Sequence, residues 1–157
     1  MMMMIRRLAI GVAMAAAMSA AALAAGPEVN ATSTGLALRG YDAVSYFKDG
    51  KPRAGDFNIV VEHEGAIYRF ANEENKTAFM AEPAKYAPQY GGYCAFGAAI
   101  GKKFDGDPDV WKIVDNKLYL NLAPKVAELW GADIPGKIKA ADGKWPMIKS
   151  TPAADLK

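Results

Sequence analysis

The stretch Tyr90-Gly91-Gly92-Tyr93-Cys94-Ala95-Phe96-Gly97 constrains this chain more than any other, because it sets the only cysteine among aromatic rings and glycines. Gly91, Gly92 and Gly97 permit backbone conformations and close approaches that a Cβ forbids. Tyr90, Tyr93 and Phe96 are large groups that bury apolar area, and the two tyrosine hydroxyls need partners. The segment therefore reads as a buried or half-buried loop. One reading makes Cys94 an inert small hydrophobe within a structural loop; the other makes it a thiol that does chemistry. With one cysteine, an internal disulfide is excluded, which leaves a free thiol, an intermolecular partner or a ligand.

The first 25 residues read as an export address rather than as fold. Arg6 and Arg7 form a positive region, Leu8 to Met18 is an uncharged run, and Ala22 and Ala24 around Leu23 make a small-residue cleavage pattern. The apolar run is short for a spanning helix, so no stable membrane insertion is expected after cleavage, and the mature protein is expected in the periplasm or secreted. The chain has 19 Lys plus Arg against 17 Asp plus Glu. Arg6 and Arg7 account for the excess, so the mature part is close to neutral and lacks the basic stripe that nucleic-acid binding requires.

What remains suits one domain with a single core, expected to be monomeric. Residues 26–34 read as a flexible lead, 35–149 as the domain with a C-terminal strap, and 150–157 as a frayed tail whose removal should be mild. Asp42 is placed to cap a short turn at Ala43–Phe47. Phe57–His63 and Ala66–Phe70 alternate around Glu64-Gly65, which predicts a hairpin pairing His63 with Ala66, Val61 with Tyr68 and Ile59 with Phe70. Phe57, Ile59, Val61, His63, Tyr68 and Phe70 then share one face. Asn72 caps a helix that Pro83 ends. Trp111–Val114 and Lys117–Leu120 predict a second hairpin around Asp115-Asn116, with Trp111, Ile113, Leu118 and Leu120 on the greasy face and Lys112, Lys117 and Tyr119 opposite. Pro124 opens a helix that turns Val126, Leu129 and Trp130 inward, with Gly131 at its end, and Trp145-Pro146-Met147-Ile148 folds back as a strap. No repeat is apparent. Asp105, Asp107 and Asp109 superficially resemble a calcium loop, but Pro108 and the lack of a glutamate at the twelfth position argue against one.

Several motifs resemble, in order, the exported single-domain YHS-domain proteins: Gly40-Tyr41-Asp42-Ala43-Val44-Ser45-Tyr46-Phe47, Tyr68-Arg69-Phe70-Ala71 with Asn75 and Phe79, Pro83 through Cys94, and Trp111 through Asn121. The resemblance spans roughly Gly35 to Trp130. It implies a small α+β domain in which two antiparallel hairpins pack against short helices. For function it implies less, because metal-associated relatives carry paired cysteines that are missing around Tyr68–Asn72. Cys94 does match the exported subfamily, some members of which look to carry selenocysteine there, and this raises a soft-metal or redox role.

Two classes of function follow. In the first, the protein is a periplasmic accessory or binding protein that uses Cys94, with His63 as the only imidazole able to assist, for copper or thiol redox, in company with a periplasmic redox or metal-handling partner. Met80 and Met147 are potential thioether ligands, though core filling is their commoner use. In the second, it is a non-catalytic module with a structural cysteine, binding a small ligand or another protein, and Tyr86, Tyr90, Tyr93 and Phe96 line an apolar cleft. Catalysis has weaker support, since the chain has neither a nucleotide-binding glycine fingerprint nor a nucleophile elbow.

Overall fold

A computed structural model describes residues 27–157; the expected leader, Met1–Ala25, lies outside the described residues. The helices and strands follow the order α1 (Ser45–Lys48), β1 (Asp56–His63), β2 (Ala66–Phe70), α2 (Glu73–Ala81), α3 (Pro83–Tyr86), α4 (Ala95–Ala99), β3 (Asp107–Val114), β4 (Lys117–Asn121), α5 (Pro124–Gly131) and α6 (Ile134–Ile148). β1 with β2 and β3 with β4 form two separate antiparallel hairpins, which pack against the short helices. The architecture is a small α+β domain, and no described helix is long and apolar enough to cross a membrane.

Both hairpins close on two-residue turns with left-handed backbone, at Glu64 and Gly65 in the first and Asp115 and Asn116 in the second. Such turns match the twist of the flanking strands and fix the register next to them. His63 pairs with Ala66 and Val61 with Tyr68, as expected. Ile59 does not pair with Phe70. The register shifts between Asp56 and Val60, Phe70 pairs with Asp56, and Phe57 is exposed. The cause is local: the Asp56 carboxylate accepts from the Asn58 amide at 2.8 Å, diverting the strand into a bulge.

In the second hairpin Trp111 pairs with Leu120, Lys112 with Tyr119 and Ile113 with Leu118. The register matches the expectation but the burial does not. Tyr119 is only 3 % exposed, because it enters a second core with Tyr90, Ala98, Trp130 and Ala141. Leu118 and Leu120 enter the first core with Tyr46, Tyr68, Phe70 and Phe79.

The two halves of the domain repeat one design, which sequence reading missed. Each has an 8-residue strand, a two-residue turn and a 5-residue strand, followed by a helix. The bulge between Asp56 and Val60 recurs between Asp107 and Trp111, where the Asp107 carboxylate accepts from the Asp109 amide at 2.9 Å. Ahead of the hairpins, Leu38, Arg39 and Gly40 have positive φ, and so do Tyr90, Gly91 and Gly92. Tyr41 then bridges Ala54 as Tyr93 bridges Asp105. The Asp42 amide donates to the Arg53 carbonyl at 2.8 Å, and the Cys94 amide to the Phe104 carbonyl at 2.9 Å. Asp42 and Cys94 occupy equivalent places.

Asn72 caps α2 by accepting from the Asn75 amide at 2.8 Å. Trp130 on α5 is buried, but Leu129 is exposed and Gly131 lacks the left-handed conformation of a helix stop. The reason is that the chain passes almost directly into α6, which Asp133 caps by accepting from the Gly136 amide at 3.0 Å. The expected strap is thus the end of a 15-residue helix. Pro146 lies in its last turn and has no N–H to give the Asp142 carbonyl, so α6 forgoes one backbone hydrogen bond there.

The lead and tail are also tied down rather than loose. Val29 is buried, the Asn30 amide donates to the Gly91 carbonyl at 2.8 Å, and the Ser150 hydroxyl donates to the Glu28 carboxylate at 2.6 Å.

The repeat generates a paired prediction. A Cβ at Gly55 would overlap Arg69, and one at Gly106 would overlap the Gly92 carbonyl and Leu120, whereas one at Gly131 would meet nothing within 4 Å. G55A and G106A should each lose about 1–3 kcal/mol through overpacking. G131A should be neutral or slightly stabilising. Urea unfolding of the three variants checks this ordering.

Candidate functional site

Cys94 sits where the left-handed Tyr90–Gly92 turn delivers the chain to α4, with its backbone bridged to Leu120 of β4. Its thiol is fully buried and committed to internal contacts. Sγ accepts from the Gly97 amide at 3.4 Å and donates to Asn121 Oδ1 at 3.6 Å. The same Asn121 oxygen accepts from the Phe96 amide at 3.2 Å.

The equivalent Asp42 explains this arrangement. Its carboxylate, also fully buried, accepts from the Val44 amide at 2.8 Å, the Ala71 amide at 2.9 Å and the Asn75 side chain at 2.7 Å. One carboxylate thereby joins its turn, the end of β2 and α2. A thiol has weaker hydrogen bonds, so in the second half Asn121, at the end of β4, supplies the oxygen that the Phe96 amide needs.

The structure distributes the other expected site residues over several surroundings. Tyr86 packs edge-on against Phe47 in the first core. Phe96 lies 5.0 Å from the Lys137 ammonium at the margin of the second core. Tyr93 donates to the Pro27 carbonyl at 3.1 Å, and its ring faces the Lys103 ammonium at 4.7 Å. Gly91 is required because a Cβ there would overlap the Glu28 carbonyl, and Gly97 because one would press on Phe104. Met80 and Met147 are exposed rather than core-filling.

Tyr90 and His63 line one cleft of about 540 Å³, together with Pro88, Lys117, Asp142 and Trp145. His63 lies against Tyr68 and Phe79 with its ring edge-on to both. Tyr90 donates to Asp142 at 2.8 Å and meets Trp145 at a ring separation of 5.8 Å. Burial, then the bond to Asp142, raises the Tyr90 hydroxyl well above the ordinary tyrosine range, so at neutral pH it is a donor. Cys94 does not line this cleft, and among the described residues no group of three His, Cys, Asp or Glu side chains is placed to hold a metal ion.

No family model, curated protein or solved structure matches the chain. The reading of the site therefore rests on its own geometry.

Three contributors escaped sequence reading. Lys103 is buried and donates to the carbonyls of Pro27, Lys149 and Thr151 at 2.8, 2.8 and 2.9 Å, joining lead to tail. Burial pulls its ammonium below the ordinary lysine range, while Glu28 opposes that shift. Nothing local in Gly101-Lys102-Lys103 signals this role. Asn121 and Asp142 act through contacts distant in sequence, although an asparagine ending a hydrophobic strand is a recognisable oddity.

Two predictions follow from these contacts. C94A removes the acceptor for the Gly97 amide and should cost about 0.5–2 kcal/mol, as loss of a helix cap does. C94S retains a hydroxyl able to accept and donate, and should be the more stable of the two by thermal melting despite its greater polarity.

The second concerns acid. Hydrogen bonds from Ser150 and then Lys149 hold the Glu28 carboxyl below its ordinary range. A depressed folded pKa means that this stabilisation is complete above the ordinary glutamate value of about 4.3 and is lost as pH falls through the lower folded value. Because Glu28 is half exposed, the effect should stay within about 1 kcal/mol. Melting temperature measured against pH should therefore fall less steeply in E28Q than in the parent across this acid range.

Proposed function

We propose that the protein is an exported YHS-type module that binds a small molecule without converting it, and that Cys94 is a structural residue. The observation that carries this reading is the contrast between the two ends of the aromatic loop: the thiol is enclosed and hydrogen-bonded, whereas Tyr90 opens onto the cleft with His63, Lys117, Asp142 and Trp145. Rings and proline edges give that cleft apolar walls. The Lys117 ammonium, the Glu64 and Asp142 carboxylates, the Gln89 amide and the His63 imidazole supply polar groups that would orient a ligand between those walls. The family resemblance of the ordered motifs supports the export and YHS parts of the proposal.

The competing copper or redox reading requires the thiol to leave Gly97 and Asn121 before it meets a metal or an oxidant. Thiol accessibility separates the two readings. Alkylation of native protein by iodoacetamide should run at least about 100-fold slower than in denaturant, reflecting protection by a native state that opens rarely. Anaerobic copper(I) titration against a competing chelator should give the same weak affinity for the parent and C94S. Native alkylation at the free-thiol rate, or loss of tight copper binding in C94S, would overturn the structural role. For the cleft, NMR titration with indole and choline as probes should produce saturable shifts at His63, Tyr90 and Trp145; no saturable shift there with either probe would count against it.

A further inference from the structure

The Tyr90 cleft carries charges of both signs that the fold keeps apart. Lys117 and Asp142 both line it, yet among the described residues neither has an oppositely charged partner within 4 Å. Elsewhere on the surface such charges do meet, as Lys48 with Glu74 at 2.7 Å, Lys85 with Glu82 at 3.0 Å and Lys125 with Glu128 at 2.8 Å. We infer that the cleft takes an α-amino acid with an apolar side chain, its ammonium on Asp142 and its carboxylate on Lys117, an inference that rests on this cleft being the small-molecule site proposed above.

Asp142 is an exposed carboxylate held in place by a buried residue. Tyr90, only 6 % exposed, reaches from the second core to donate its hydroxyl to Asp142 Oδ1 at 2.8 Å. That bond orients the carboxylate and leaves Oδ2 without a side-chain or backbone donor among the described residues. One turn further along α6, Trp145 sets its ring 5.8 Å from that of Tyr90, so the carboxylate stands beside two aromatic rings. A carboxylate in such company suits an ammonium, which it binds through charge-assisted hydrogen bonds while the rings add a weaker attraction.

The remaining lining narrows the class of ligand. Lys117 opens β4 next to the left-handed Asp115-Asn116 turn, and its exposed ammonium offers three donors to a carboxylate. An amine alone would leave Lys117 unmatched, and an acid alone would meet the carboxylates of Glu64 and Asp142. A zwitterion matches both signs. Of the two carboxylates, Glu64 has His63 Nε2 at 3.9 Å, whereas Asp142 has only the neutral tyrosine hydroxyl, so Asp142 is the better seat for the ammonium. Pro88, Trp145 and Pro146 give apolar surface for the side chain of the ligand, and the volume of about 540 Å³ falls within the range usual for small-ligand sites.

Phenylalanine, phenethylamine and phenylpropionate present one ring with both charges, with the ammonium alone and with the carboxylate alone. NMR titration of the folded protein should show phenylalanine binding about tenfold more tightly than either of the others, with saturable shifts at Tyr90 and Trp145. D142N keeps an oxygen for the Tyr90 hydroxyl but removes the charge, and should bring phenylalanine down to the level of phenylpropionate without weakening phenylpropionate itself. K117Q should bring phenylalanine down to the level of phenethylamine and leave phenethylamine unchanged. Both residues are exposed; each variant has its fold verified by thermal melting, and either one decides if the other does not fold. A loss shared equally by all three ligands, or an undiminished preference for phenylalanine in the folded variants, would overturn the assignment. Phenethylamine or phenylpropionate binding as tightly as phenylalanine, with saturable shifts at His63, Tyr90 and Trp145, would overturn the amino-acid inference while leaving the cleft as a small-molecule site. No saturable shift there with any of the three, or with indole or choline, up to about 10 mM would reject the cleft and the inference together.

Discussion

The structure depends on β4 being buried on both faces. Leu118 and Leu120 point into one core and Tyr119 into the other, so a five-residue strand is the wall shared by both halves. A hairpin with one solvated face would need only one layer of helices. Here α5 and α6 must cover the Tyr119 side, and the cysteine loop must run beside Leu120. Burying a large apolar side chain contributes about 1.5–3 kcal/mol, so these three residues alone supply a substantial part of a small domain's stabilisation. The tight space beside β4 also explains why Gly106 can carry no side chain.

Around that strand the chain solves one problem twice, with different chemistry. Asp42 spends a buried charge to gather three N–H donors, and the cost of removing that carboxylate from water is offset only because each donor is in place. Cys94 stands in the same position with a neutral thiol. Burial is cheaper, but the thiol gathers fewer donors, and Asn121 must complete the work from the neighbouring strand. Asp42 draws its third donor from the side-chain amide of Asn75 on α2, whereas the Cys94 thiol gives its own hydrogen to the Asn121 oxygen.

What could be read from the sequence was local. Glu64-Gly65 and Asp115-Asn116 specify left-handed turns, and the register nearest each turn follows directly; Asn72 and Pro83 bound a helix by capping and by breaking it. The expected register holds as far as Val60–Arg69 and fails beyond it, where the Asp56 carboxylate draws the strand into a bulge that alternation cannot reveal. Tyr119 looks like a solvated residue beside Lys117 because its hydroxyl is compatible with either face. The repeat is almost erased in sequence. Gly40-Tyr41-Asp42-Ala43 and Gly92-Tyr93-Cys94-Ala95 preserve it, but the aspartate-to-cysteine exchange falls on the residue that would attract attention. Lead and tail looked polar and loose because Lys103, which joins them through three carbonyls, recognises backbone rather than side chains.

The cysteine that dominates the sequence thus takes its role from its surroundings. A carboxamide can turn end for end at little intrinsic cost, and its orientation is set by the groups it meets. Cys94 and the Phe96 amide both present hydrogens to Asn121. The Phe96 N–H, which can only donate, fixes the Asn121 oxygen inward, and the thiol, which can donate or accept, adopts the donor role that this orientation leaves it.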